Sequence, residues 1–122
     1  MELAYFFDTY AIAEILNGNP DYIKYSGKPV TITIYNLAEI YWHALREYSA
    51  EEADDIYNDY KDAVNEIDDE TLKEAMKFRK EHKKKDLSYA DCIGYIYALR
   101  HNMIFLTGDK EFEGLKNLEY VK

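Results

Sequence analysis

Glu2-Leu3-Ala4-Tyr5-Phe6-Phe7-Asp8 opens the chain with an apolar run that is too short for a helix and ends on a carboxylate. An apolar stretch without alternation reads as a strand buried on both faces, the kind found inside parallel sheets. The same phrase returns late in the chain as Met103-Ile104-Phe105-Leu106-Thr107, followed by a turn at Gly108 and then Asp109. Two buried strands that each end on an acid imply a sheet whose carboxyl edge gathers polar groups. In open α/β sheets that edge is where ligands bind.

Working outward from these strands, the period changes to that of helices. Ala11, Ile12, Ile15 and Leu16 fit a helix from Thr9 to Leu16, which Asn17-Gly18-Asn19-Pro20 ends. A short helix is expected over Asp21 to Tyr25, and a β-branched strand over Val30 to Ile34. From Asn36, the residues Leu37, Ile40, Tyr41, Ala44, Leu45 and Tyr48 form the stripe of an amphipathic helix. An acidic helix follows over Ala50 to Tyr60, then an alternating segment, Ala63 to Ile67, that reads as a further strand. A helix over Glu70 to Lys83 is expected, capped by Asp68 or Asp69. Ser88 opens another, running to about Arg100 and apolar nearly all round, hence buried. Asn117 to Val121 reads as a short edge strand. Strands alternating with helices predict an α/β fold: one domain over residues 1–122, with a mainly parallel four- to five-stranded sheet and helices on both faces.

The chain has 122 residues, 48% apolar and 16% aromatic, enough for one real core. No apolar run approaches the roughly 18 residues needed to span a membrane. The N-terminus lacks the basic region and cleavage site of a signal peptide, so Met1 is expected to begin the folded domain. The lone cysteine, Cys92, excludes an internal disulfide, fits a reducing cytoplasmic setting, and reads as a small core residue. The formal net charge is −9, but it is unevenly spread. Acids crowd the stretch Glu47 to Glu70, where Lys61 is the only cation. The run Arg79-Lys80-Glu81-His82-Lys83-Lys84-Lys85 is the one basic stretch able to track phosphates.

Four acids border apolar elements. Asp8 and Asp109 follow strands and would serve as helix caps. Asp91 sits in Ser88-Tyr89-Ala90-Asp91, a capping-box pattern, yet is the only charge between Asp86 and Arg100. Glu39 lies in an apolar stretch from Ile32 to Leu45 relieved only by small polar groups and His43. Carboxylates about 5 Å apart repel by about 3 kcal/mol per pair at an effective dielectric of 20, so four together call for a divalent cation. Oxygen-only ligation favours Mg²⁺ or Mn²⁺ over zinc, and His43, His82 and His101 have no metal-ligand spacing.

Phe6-Phe7-Asp8-Thr9-Tyr10-Ala11, Asn36-Leu37-Ala38-Glu39-Ile40, Ser88-Tyr89-Ala90-Asp91-Cys92-Ile93 and Leu106-Thr107-Gly108-Asp109-Lys110-Glu111-Phe112 resemble, in order and spacing, the four motifs of PIN-domain nucleases. The compact length is similar to the VapC toxins of type II toxin–antitoxin pairs. The resemblance implies that Asp8, Glu39, Asp91 and Asp109 meet around one or two Mg²⁺ or Mn²⁺ ions, with Thr9 and Thr107 orienting ligands or water. It implies an endoribonuclease that leaves 5′-phosphate and 3′-hydroxyl ends, forms a homodimer and is silenced by a cognate antitoxin. Arg79, Lys80, Lys83, Lys84 and Lys85 would then hold RNA. Two other readings stay open: a non-catalytic PIN-like module that binds RNA or protein, and a receiver or haloacid-dehalogenase-like phosphotransfer domain. The latter's second Asp is replaced here by Tyr10. One departure from the PIN pattern is Gly108, where many members carry a bulkier residue.

Overall fold

In the computed structural model, residues 3–122 are described. Met1 and Glu2, where the domain and its first strand were expected to start, lie outside the described residues. Three parallel strands form the sheet in the order β1 (Tyr5–Phe7), β2 (Ile104–Thr107), β3 (Leu118–Tyr120). Phe6 pairs with Phe105 and Phe7 with Leu106, while Phe105 and Leu106 pair with Leu118 and Glu119. Because side chains alternate across a strand, this register sorts the core into two halves. Phe6 and Phe105 stack at 5.7 Å and pack with Cys92, Ile93, Tyr95 and Ile96 of α5 (Tyr89–Arg100) and Ala75 of α4 (Asp69–Glu81). On the opposite face, Phe7 and Leu106 pack with Ala11 and Ile12 of α1 (Thr9–Leu16), Leu37 and Ile40 of α2 (Ile34–Glu47), and Tyr22 and Tyr25 of the 3-10 turn Pro20–Tyr25. α3 (Ala50–Tyr60) completes the set of helices.

The expectation of four to five strands does not hold among the described residues. Residues 30–34 and 63–67 contribute only a single parallel bridge, Ile32 to Val64. Phe7 N–H does bond to Thr31 O at 3.0 Å, so the segment lies where a fourth strand would. It is cut short because Thr33 caps α2: Asn36 N–H donates to Thr33 Oγ1 and Thr33 N–H to Asn36 Oδ1. This reciprocal cap starts the helix at Ile34, three residues after Thr31. The 3-10 turn Lys61–Ala63 likewise uses up the approach to Val64.

α5 is buried nearly all round, as its composition demands, and Gly94 permits it. A Cβ there would lie 2.6 Å from the Phe6 ring, so the helix can lie this close to the sheet only without one. The Cys92 thiol is fully buried and pushed up to about 11 by that burial, which makes it a core group rather than a nucleophile. Among the described residues no helix is long and apolar enough to cross a membrane.

Candidate active site

β1 and β2 end side by side, and their parallel register brings Asp8 and Asp109 to the same edge of the sheet. Asp8 caps α1 by accepting the Thr9 N–H on Oδ1 at 2.9 Å. Its Oδ2 accepts the Thr107 hydroxyl at 2.7 Å, and Thr107 Oγ1 in turn accepts the Asp109 N–H at 3.1 Å. On the other side, the Thr9 hydroxyl donates to Glu39 Oε1 at 2.7 Å and accepts from Asn36 Nδ2 at 3.2 Å. A continuous line thus runs Glu39, Thr9, Asp8, Thr107, Asp109, drawing three acids from α2, the end of β1 and the turn after β2.

Asp91 reaches the group from α5 without a hydrogen bond to it. Its Oδ2 accepts the Ser88 N–H at 2.8 Å in the expected capping box. The charges nonetheless act on one another. Asp8 is 1% exposed, and burial first, then the Asp91 charge, holds its carboxyl well above the usual range; Glu39 and Asp109 add to this, while the Thr107 bond opposes it. Asp91 is pushed up to about 6, chiefly by burial, with Glu39 and Asp109 contributing and the Ser88 N–H resisting. No Lys or Arg among the described residues forms a salt bridge with any of the four. Among the described residues the one salt bridge joins Arg100 to Glu74, elsewhere on the surface.

A model of the PIN domain matches residues 5–118. The chain belongs to the PIN domain family. Its fold is also shared by solved structures. Mycobacterium tuberculosis VapC20, a sarcin-ricin loop cleaving toxin, superposes with a TM-score of 0.78 at 15% identity, covering 98% of this chain and 100% of that one. VapBC2 from Rickettsia felis, bound to a promoter DNA fragment, gives 0.70 at 19% identity over 95% and 96%. PAE2754 from Pyrobaculum aerophilum gives 0.65 at 19% over 97% and 90%. No curated protein matches the sequence significantly.

The donor set of this PIN domain suits a hard divalent cation. The four acids offer only oxygen, and Glu39 Oε2, Asp91 Oδ1 and Asp109 Oδ2 accept no hydrogen bond from the described residues. Among the described residues no three His, Cys, Asp or Glu side chains are gathered closely enough to hold a metal ion between them. Asp8, Asp91 and Asp109 each commit one oxygen to a local backbone N–H, and Glu39 commits one to the Thr9 hydroxyl. An open group fits Mg²⁺, which retains several waters and takes only one or two protein carboxylates.

Gly108, the departure from the family pattern, has a geometric cause. A Cβ there would stand 2.1 Å from Val121 O and 2.4 Å from the Tyr10 ring. Tyr10 therefore occupies the space that a bulkier residue would need. Sequence reading did not single out Asn36 as a site residue; the signal was its place three residues after Thr33, where a cap partner sits. His43, four residues after Glu39 on α2, makes no bond to it, and its Nε2 is buried without a hydrogen-bond partner among the described residues.

The basic run divides. Arg79, Lys80, Lys83 and Lys85 line one groove between the end of α4 and the start of α5, and Lys84 is not among its lining residues. A hydrogen-bonded path ties the loop at its edge to the acids: Asp86 N–H donates to Glu111 Oε1 at 2.9 Å, and Glu111 N–H to Asp109 Oδ1 at 3.0 Å.

Proposed function

We propose that this PIN domain is an Mg²⁺- or Mn²⁺-dependent endoribonuclease, acting as the cytoplasmic toxin of a type II toxin–antitoxin pair. The observation that carries the reading is the bonded line from Glu39 to Asp109, with Asp91 close by on α5 and no Lys or Arg among the described residues in a salt bridge with any of the four. Asp8, Glu39, Asp91 and Asp109 would hold the metal between them, one or two directly and the others through its bound waters. Bound there, the ion would supply positive charge to the scissile phosphate and an acidified water. Thr107 and Thr9 fix the Asp8 and Glu39 carboxylates in orientation, as second partners of ligating acids do. The Arg79 to Lys85 groove would hold phosphates flanking the cut, since the metal neutralises charge only at the reacting one.

The antitoxin partner and a homodimer are carried over from the family likeness, with VapBC assemblies among the fold relatives. Co-expression with the protein encoded beside it, followed by sizing, checks both. For the activity, purified protein is incubated with single-stranded RNA in Mn²⁺ or in excess EDTA. The expected result is cleavage in Mn²⁺ alone, with 5′-phosphate ends, and none by Asp8→Asn. Cleavage that survives EDTA or Asp8→Asn contradicts the reading, and RNA binding without cleavage by the wild type supports the non-catalytic module instead.

A further inference from the structure

The groove beside the acids holds more than charge. It has a volume of about 380 Å³ and combines Arg79, Lys80, Lys83 and Lys85 with Leu87 and Tyr89. Arg79 differs from the lysines in being fixed. Its Nε donates to Leu87 O at 3.2 Å, and its guanidinium carbon lies 4.4 Å from the centre of the Tyr89 ring. It pairs with no carboxylate among the described residues, so its terminal nitrogens keep their charge for a ligand. Tyr89 begins α5 and is 58% exposed, with no hydrogen bond to its hydroxyl among the described residues. The core beneath is already closed by Ala90, Cys92 and Ile93, so burial does not explain an aromatic ring there.

We propose that Tyr89 and Arg79 form a nucleotide subsite, in which a base of single-stranded RNA stacks on the Tyr89 ring and Arg79 takes the adjoining phosphate. The proposal rests on the ribonuclease reading and specifies its substrate as unpaired RNA. Aromatic rings and guanidinium planes hold splayed bases, whereas bases paired in a duplex offer no free face. A planar guanidinium set by two prior contacts can meet phosphate through two parallel hydrogen bonds, which an ammonium cannot. Arg79 covers one face of the ring, and the exposure of the remainder leaves room for the base. Residues two apart on a helix point to opposite sides, so Tyr89 and Asp91 straddle the N-terminal end of α5. The stacked base therefore belongs to a nucleotide flanking the scissile phosphate. The strand reaches the acids across the helix end, along the side where Glu111 links Asp86 to Asp109.

The test measures binding of a short single-stranded oligoribonucleotide in Mg²⁺, with Asp109→Asn protein to prevent cleavage. Tyr89→Ala in that background should weaken Kd about 5- to 140-fold, the range for losing one stacked base. Tyr89→Phe should bind as tightly as Tyr89 itself, since the ring and not the hydroxyl acts. Removing single bases along the oligonucleotide should reveal one position whose loss costs the same factor, and whose loss costs nothing further in Tyr89→Ala. Unaltered melting temperatures confirm that the variants fold. If the wild type cleaves RNA but Tyr89→Ala leaves Kd unchanged, or Tyr89→Phe loses as much as Tyr89→Ala, the subsite is wrong and the nuclease reading stands. If the wild type neither binds nor cleaves RNA, both fall.

Discussion

The acid cluster and the basic groove lie on either side of one helix end and handle charge in opposite ways. At the acids, charge is buried at Asp8 and half-buried at Glu39, Asp91 and Asp109, fixed by short bonds to threonines and caps, with no salt bridge to a Lys or Arg among the described residues. In the groove, charge is exposed and carried on long side chains, and only Arg79 is held in place. Buried charge is costly and barely screened, so it demands a tightly bound counter-ion and responds steeply to its loss. Exposed lysines act through a salt-screened field, and each contributes little. On the proposed function, the first region holds a particular ion and the second any stretch of phosphates. Chemistry and affinity should therefore separate on mutation.

The largest separation is expected from Asp109→Asn. Cleavage at saturating RNA should fall by more than about 100-fold, while stability is kept, because Asn still caps the turn that follows. Thr107→Val removes the link between Asp8 and Asp109 without touching charge, and should cost about 10- to 100-fold in metal affinity, read by Mn²⁺ titration. Saturating metal should raise the melting temperature, by about 2.7 kcal/mol of stability at a hundredfold excess over Kd. In chelator, protons should replace the metal. Asp8 and Asp91 have folded-state affinities for protons above those of the unfolded chain, Asp91 at about 6. Stability should thus rise as pH falls through about 6 toward 4 and be lost on the way back up, by roughly 1–3 kcal/mol, an effect that metal abolishes. A metal-free melting temperature that is flat over this range would remove the buried-charge side of the comparison. The smallest effect belongs to the groove. Changing Lys83 and Lys85 together to Ala should lower the slope of log affinity against log salt by about 1.4, and Lys84→Ala should leave it unchanged. Equal effects from all three would return the run to an undirected cloud of charge.

What could be read from the sequence follows the range of the forces involved. α1, α3 and α5 match their expected limits because their caps are local: Asp8, Ser49 and Ser88 each bond within three residues. The four acids stood out because each interrupts an apolar stretch, a local contrast. The strands at residues 30–34 and 63–67 were overread because β-branching favours extension, while the Thr33–Asn36 cap that cuts the first short competes for the same residues. The threonine links were hidden for another reason. Thr9 to Glu39 and Thr107 to Asp8 join residues 30 and 99 positions apart, and no local pattern announces such a bond. The packing of Tyr10 on Gly108 is likewise a long-range match that only the fold reveals.

The central claim is that the line of bonds from Glu39 through Thr9, Asp8 and Thr107 to Asp109 prepares a divalent-metal site. Electron paramagnetic resonance of Mn²⁺ added to the wild type and to Asp8→Asn tests it without reliance on a substrate. The wild type should remove free Mn²⁺ signal saturably, and Asp8→Asn, although folded and at least as stable without metal, should not. Equal Mn²⁺ binding by both proteins, or none by either, would contradict the account.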